Sequence, residues 1–138
     1  PVITRHTQVE RVNRDRMRAN AIEAAEQCGV LAAPAIDEER KLPSFLESLE
    51  AGRLLVFCDE EAESADPVGA LRRTGEGFSS FALLVGPEGG FAAGEREMIL
   101  RHHSVTRISL GPRILRADTA AVAALAVLQS ALGDWRGD

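Results

Sequence analysis

Three short strand-like runs rich in apolar residues, at 54–57, 81–85 and 105–110, are separated by segments with helical spacing. This alternation restricts the fold more than any other feature of the chain. A strand with one face in water alternates apolar and polar residues, whereas a run that is apolar throughout is covered on both faces. Strands of that kind joined through helices form a parallel sheet, so the expected class is α/β, a mostly parallel sheet with helices on both faces. Ligands of such sheets bind beyond the carboxyl ends of the strands. The loops leaving residues 85 and 110 are therefore where function is expected.

The other segments fit around this core. Residues 1–4 are β-prone, and residues 15–28 set Met17, Ala21, Ala24, Ala25 and Cys28 at helical spacing, with Gly29 as the stop. A short apolar run covers 30–36. Pro43 suits the first turn of a second helix whose buried face carries Phe45, Leu46 and Leu49. Residues 60–77, with several acids, Pro67 and three glycines, read as an exposed connection holding a short helix around 68–73. Helical patterning returns at 94–102 and at 119–132.

A chain of 138 residues accommodates one compact domain. With 45% hydrophobic and 27% charged residues and no repeat, it is neither a disordered tail nor a solenoid. The longest apolar stretch, 120–128, falls short of the roughly 20 residues needed to span a bilayer, so a soluble, cytoplasmic protein without a membrane partner is expected. Cys28 and Cys58 stand in no CxxC or Cys/His spacing, which points to free thiols in a reducing compartment and no metal site. His6, His102 and His103 read as surface histidines. Neighbours on a helix point about 100° apart, so His102 and His103 cannot share an ion.

Val85 runs into Gly86-Pro87-Glu88-Gly89-Gly90, three glycines and a proline in five residues, which offers a ligand bare backbone N–H and C=O groups. Neither GxxxxGK[ST] nor GxGxxG is present, so a phosphate-cradling nucleotide site ranks last. Two readings stand for this loop, a tight strand-to-helix turn and a ligand site. Glu88 could cap the following helix or face a cationic ligand. The second loop, Gly111-Pro112-Arg113-Ile114-Leu115-Arg116-Ala117-Asp118, places two arginines around an apolar pair. Their planar forks suit phosphate or carboxylate. The plainer reading is a solvated basic loop in which Asp118 or Thr119 is the N-cap of the last helix.

That last helix is apolar on every face over 120–128, so something must cover its outer side. A second copy of the chain is the simplest cover, which predicts a homodimer through this helix; residues of a longer chain are the alternative. The formal charge of −5 argues at first against a nucleic-acid partner. Segment by segment the picture changes. Residues 37–66 hold 3 basic and 10 acidic residues, whereas 105–120 hold 3 basic and 1 acidic. The acids are expected to form a solvated face away from the site, and the net charge does not exclude RNA.

The run Phe81-Ala82-Leu83-Leu84-Val85-Gly86-Pro87-Glu88-Gly89-Gly90-Phe91, followed by Leu110-Gly111-Pro112-Arg113-Ile114-Leu115-Arg116, Thr119-Ala120 and, upstream, Glu23-Ala24-Ala25-Glu26-Gln27, resembles the RsmE family of the SPOUT superfamily. The resemblance spans most of the chain. It implies a C-terminal trefoil-knotted SPOUT methyltransferase fold, a homodimer with its active site at the interface, and S-adenosyl-L-methionine as cofactor. The implied activity is methylation of a uridine N3 in small-subunit (16S) ribosomal RNA, met as naked RNA or as the assembled small subunit. Cofactor binding falls on Val85, Gly86, Pro87, Glu88, Gly89, Gly90, Leu110, Gly111, Arg113, Ile114 and Leu115. Arg116 would orient the RNA or stabilise charge on the uracil carbonyls, with Glu88 or Asp118 as proton acceptor. Full-length members also carry an N-terminal RNA-binding barrel and an opening strand and helix, so residues 1–138 are expected to be a single catalytic domain lacking them. The chain departs from the family at Ala117 and Asp118, where Thr and Glu are common, and at Val30, where Arg is common. These departures keep a noncatalytic RNA-binding or ribosome-assembly module as the alternative function.

Overall fold

A computed structural model describes residues 1–8, 11–63 and 66–135. Its elements, in chain order, are β1 (Val2–Ile3), α1 (Arg14–Gln27), β2 (Arg40–Lys41), α2 (Leu42–Glu47), β3 (Arg53–Cys58), α3 (Pro67–Gly75), β4 (Ser80–Leu84), α4 (Ala93–Leu100), β5 (Val105–Ile108) and α5 (Ala117–Leu132). The central sheet runs β4-β3-β5, every pair parallel, and β1 pairs with β2 in a separate parallel ribbon. This is the α/β architecture expected from the apolar runs.

Strand β3 shows why. Leu54 and Val56 point to one face, where they meet Ala70 and Leu71 of α3 and Ala124 and Ala131 of α5. Leu55 and Phe57 point to the other, toward Leu42 and Leu46 of α2 and Ile99 of α4. All four strand residues are fully buried, each contributing roughly 1.5–3 kcal/mol of burial free energy. Helices α3 and α5 approach so closely that a Cβ at Gly75 would run into the Leu132 side chain.

Several local expectations give way to tertiary structure. In α1 only Ala25 is buried, and Met17 and Ala24 are exposed, so the stripe read from spacing packs against little. The apolar run at 30–36 is in neither helix nor strand and is not packed into the core, with Leu31 fully exposed. Helix α4 ends at Leu100, which leaves His102 and His103 beyond it with ring centroids 4.4 Å apart. Helix α5 begins at Ala117, not at 119, because Arg116 is extended and its carbonyl accepts the first helical bond, from Ala120 N–H at 2.8 Å. Arg116 is thus the N-cap, and neither Asp118 nor Thr119 fills that role. Asp118 lies in the first turn, where a carboxylate favours the helix dipole. Ser64 and Ala65 of the acidic connection lie outside the described residues.

Candidate active site

The carboxyl ends of β3, β4 and β5 open into one cleft. Val85, Gly86, Pro87, Glu88 and Gly90 line it from the first loop, and Leu110, Gly111, Arg113, Ile114 and Leu115 from the second. Of the predicted cofactor residues, Gly89 alone stands outside the lining. The two loops that spacing could not relate are therefore walls of a single site. Each is shaped by a glycine at positive φ, +64° at Gly90 and +99° at Gly111, a region costly for other residues. The Gly90 N–H closes a turn onto the Pro87 carbonyl at 2.8 Å. Gly86 serves a different need: a Cβ there would lie 2.8 Å from Phe91 Cε2. Phe91 in turn packs edge-to-face on Phe57, with centroids 5.3 Å apart, and fixes the loop to the core.

The third wall was not anticipated. Residues 58–61, at the end of β3, also line the cleft, so part of the acidic segment belongs to the site and not to a remote solvated face. Asp59 is 4% exposed. Its carboxylate accepts from Arg96 Nε at 3.3 Å and Nη2 at 3.0 Å, from Arg107 Nε at 2.7 Å, and from the Glu61 N–H at 3.1 Å. Burial pushes the Asp59 carboxyl up, and the Arg96, Glu61 and Arg107 hydrogen bonds outweigh it, leaving the group below its ordinary value. Arg107 also donates from Nη2 to the Glu61 carbonyl at 2.8 Å, and Arg96 pairs with the Glu61 carboxylate at 3.3 Å. Two partly exposed arginines are therefore committed to one buried carboxylate. Arg107, part of the basic excess read at 105–120, binds Asp59 and does not face solvent as a free cation.

The residues predicted to do chemistry separate. Glu88 is exposed and lines the cleft. The helix-capping role considered for it belongs to Glu95, whose Oε2 accepts from the Ala92 N–H at 3.0 Å. Arg116 and Asp118 lie outside the cleft lining, 3.7 Å apart as an exposed pair. The Thr119 N–H and Arg116 hold the Asp118 carboxyl below its ordinary value. Cys58 lines the cleft, and burial pushes its thiol up to about 12. His6, read as a plain surface histidine, directs Nδ1 at the carbonyls of Gly89 and Gly90.

Chemically, the cleft offers backbone donors and acceptors, an apolar patch from Val85, Leu110, Ile114 and Leu115, and carboxylates at Glu60 and Glu88. That combination suits an uncharged heterocycle joined to a polar, partly cationic group. Among the described residues, no group of three or more His, Cys, Asp or Glu could hold a metal ion. No helix among them is long and apolar enough to cross a membrane.

Comparison with known proteins bears on the same regions. Residues 1–129 match the family described as RNA methyltransferase domain. The ribosomal RNA small subunit methyltransferase E of Rickettsia conorii is 35% identical over 127 residues, 91% of this chain and 50% of that protein. Its namesake in Bacillus subtilis is 30% identical over 128 residues, again 91% and 50%. The chain thus spans about half the length of the curated relatives it matches. Among solved structures, a ribosomal RNA small subunit methyltransferase E from Neisseria gonorrhoeae bound to S-adenosyl methionine aligns with a TM-score of 0.78 and 25% identity, over 94% of this chain and 53% of that one. A Legionella pneumophila protein in complex with the bound cofactor SAM aligns with a TM-score of 0.74 and 31% identity, over 95% and 54%.

Proposed function

Because the chain belongs to the RNA methyltransferase domain family, we propose that it methylates N3 of a uridine in small-subunit ribosomal RNA with S-adenosylmethionine as cofactor. The observation that carries this reading is the convergence of the Gly86–Gly90 and Leu110–Leu115 loops in one cleft. It is supported by relatives whose names state the RNA and by aligned structures that hold the cofactor.

The lining fits the cofactor in kind. Val85, Leu110, Ile114 and Leu115 provide apolar walls for an adenine, and the backbone of the two loops provides its hydrogen-bond partners. The Glu60 and Glu88 carboxylates match the positive charge of a sulfonium and an amino group. When bound, S-adenosylmethionine supplies an activated methyl group, so the protein's share is positioning and proton removal.

Glu88, in the cleft, receives the N3 proton of the uracil. Exposed Arg116, at the start of α5, meets the RNA and steadies negative charge on the uracil carbonyls. The target base must be unpaired or turned out of its stack, since pairing occupies the N3 edge. A second copy of the chain covers the outer face of α5, where Val122 and Leu125 are exposed, and the enzyme works in the cytoplasm. The trefoil knot of the SPOUT superfamily is part of the same reading.

The test is methyl transfer. Incubation with S-adenosylmethionine labelled in the methyl group and either assembled small subunits or naked ribosomal RNA is expected to yield N3-methyluridine. A folded chain that protects RNA from nuclease and transfers no label would be a binding module instead.

A further inference from the structure

We infer that His6, which stands outside the cleft lining, is a positioning residue for the cofactor loop, a strap that holds the Gly89-Gly90 backbone. The inference rests on the cofactor reading above. His6 Nδ1 lies 2.8 Å from the Gly89 carbonyl oxygen and 3.2 Å from that of Gly90, across more than 80 residues of sequence. Both partners are acceptors, so Nδ1 carries the proton and donates to the pair. The fit is close: a Cβ on Gly89 would come within 3.2 Å of His6 Cβ.

The segment that presents His6 is itself built. Thr4 is 9% exposed, its N–H donates to Thr7 Oγ1 at 2.9 Å, and the Thr7 N–H returns to the Thr4 carbonyl at 3.2 Å. Upstream, Val2 and Ile3 pair with Arg40 and Lys41. Between these anchors the Arg5 N–H donates to Glu95 Oε1 at 2.8 Å, while the other oxygen of Glu95 receives the Ala92 N–H. One N-terminal turn thus grips both the glycine loop and the start of α4. Gly90 itself lines the cleft, and a Cβ there would come within 3.3 Å of Glu60 Oε1. A loop rich in glycine has many conformations to lose on binding, and a donor shared by two consecutive carbonyls removes part of that cost beforehand.

The test compares His6→Ala, His6→Asn and His6→Gln by calorimetric titration with S-adenosylmethionine. An Asn amide nitrogen sits near the Nδ1 position, whereas a Gln amide reaches to where Nε2 lies. His6→Ala and His6→Gln should bind roughly tenfold more weakly, the loss of one hydrogen bond, and His6→Asn within about twofold of the parent. In the methyl-transfer assay the Ala variant should raise KM for the cofactor and leave kcat at saturation near the parent value. Equal affinity of His6→Ala and parent, or of His6→Asn and His6→Gln, overturns the proposal. Hydrogen exchange without ligand supplies a readout independent of the cofactor: the Gly90 amide should exchange several-fold faster in His6→Ala. Unchanged exchange there refutes the strap, while failure of the parent chain to bind S-adenosylmethionine refutes the cofactor reading alone.

Discussion

Arg107 Nε donates to Asp59 Oδ2 at 2.7 Å, joining residues 48 apart in sequence at a carboxylate that lines the cleft. Arg96 closes the same carboxylate from the other side. The end of β3, the strand before the second loop and the helix after the first are thereby held as one unit.

Asp59→Asn is therefore expected to destabilise the protein by about 2 kcal/mol at neutral pH, because two arginines lose a buried countercharge. The folded-state pKa of Asp59 lies below the ordinary 3.8, so its contribution is complete above that value and is lost as pH falls through the lower folded value. Urea midpoints measured from pH 7 down to pH 2 should converge for parent and variant at the acid end. Curves that stay parallel throughout would show that the carboxylate's charge contributes nothing.

Cys58 and Cys28 should differ sharply toward alkylating reagents. Cys28 is exposed, whereas burial pushes Cys58 up to about 12 although it lines the cleft. At pH 8 about one Cys58 in ten thousand would be thiolate, and the thiolate is the nucleophile. Mass spectrometry after brief iodoacetamide treatment is expected to show label on Cys28 and on Cys58 only after denaturation. Comparable labelling of both in the folded protein would contradict the burial.

What could be read in advance, and what could not, follows from the range of the interactions. The strands were legible because Leu54 to Phe57 must be covered on both faces, whatever lies around them. The loops were legible because glycine and proline act locally. The Asp59 ion pairs and the His6 strap join residues 37 to 84 positions apart, and no local spacing encodes which arginine meets which carboxylate. Even a local preference was overridden at Asp118: its side chain favours an N-cap, yet the extended backbone of Arg116 starts the helix two residues earlier than expected. The interruption of the third apolar run by Arg107 was the one available signal, since a charge inside a strand requires a partner.

Glu88→Gln and Asp118→Asn should separate the two candidate proton acceptors. Glu88 faces the cleft, while Asp118 sits outside its lining and is held in its charged, less basic state by Thr119 and Arg116. Removing a general base costs about 100-fold or more in rate, so Glu88→Gln should lose that much methyl transfer. Asp118→Asn should stay within a few-fold and keep its cofactor affinity in titration calorimetry, whereas Glu88→Gln should also bind the cofactor more weakly, so its rate is compared at saturating S-adenosylmethionine. The reverse ranking would move the base to the start of α5.

The outer face of α5 yields the last prediction. Ala120, Ala124 and Ala131 are buried, while Val122 and Leu125 are 70% and 50% exposed. Positions three apart share a helix face, so Val122 and Leu125 form one apolar stripe. Covering each in a dimer would contribute roughly 1–2 kcal/mol. Light scattering on a sizing column should therefore give twice the chain mass for the parent, and the monomer mass for a Val122→Glu/Leu125→Glu double variant, because two charges per chain would have to be buried without partners. A parent that stays monomeric over a wide concentration range would leave α5 uncovered and remove the dimer from the proposed function, without touching the cleft that lies within one chain.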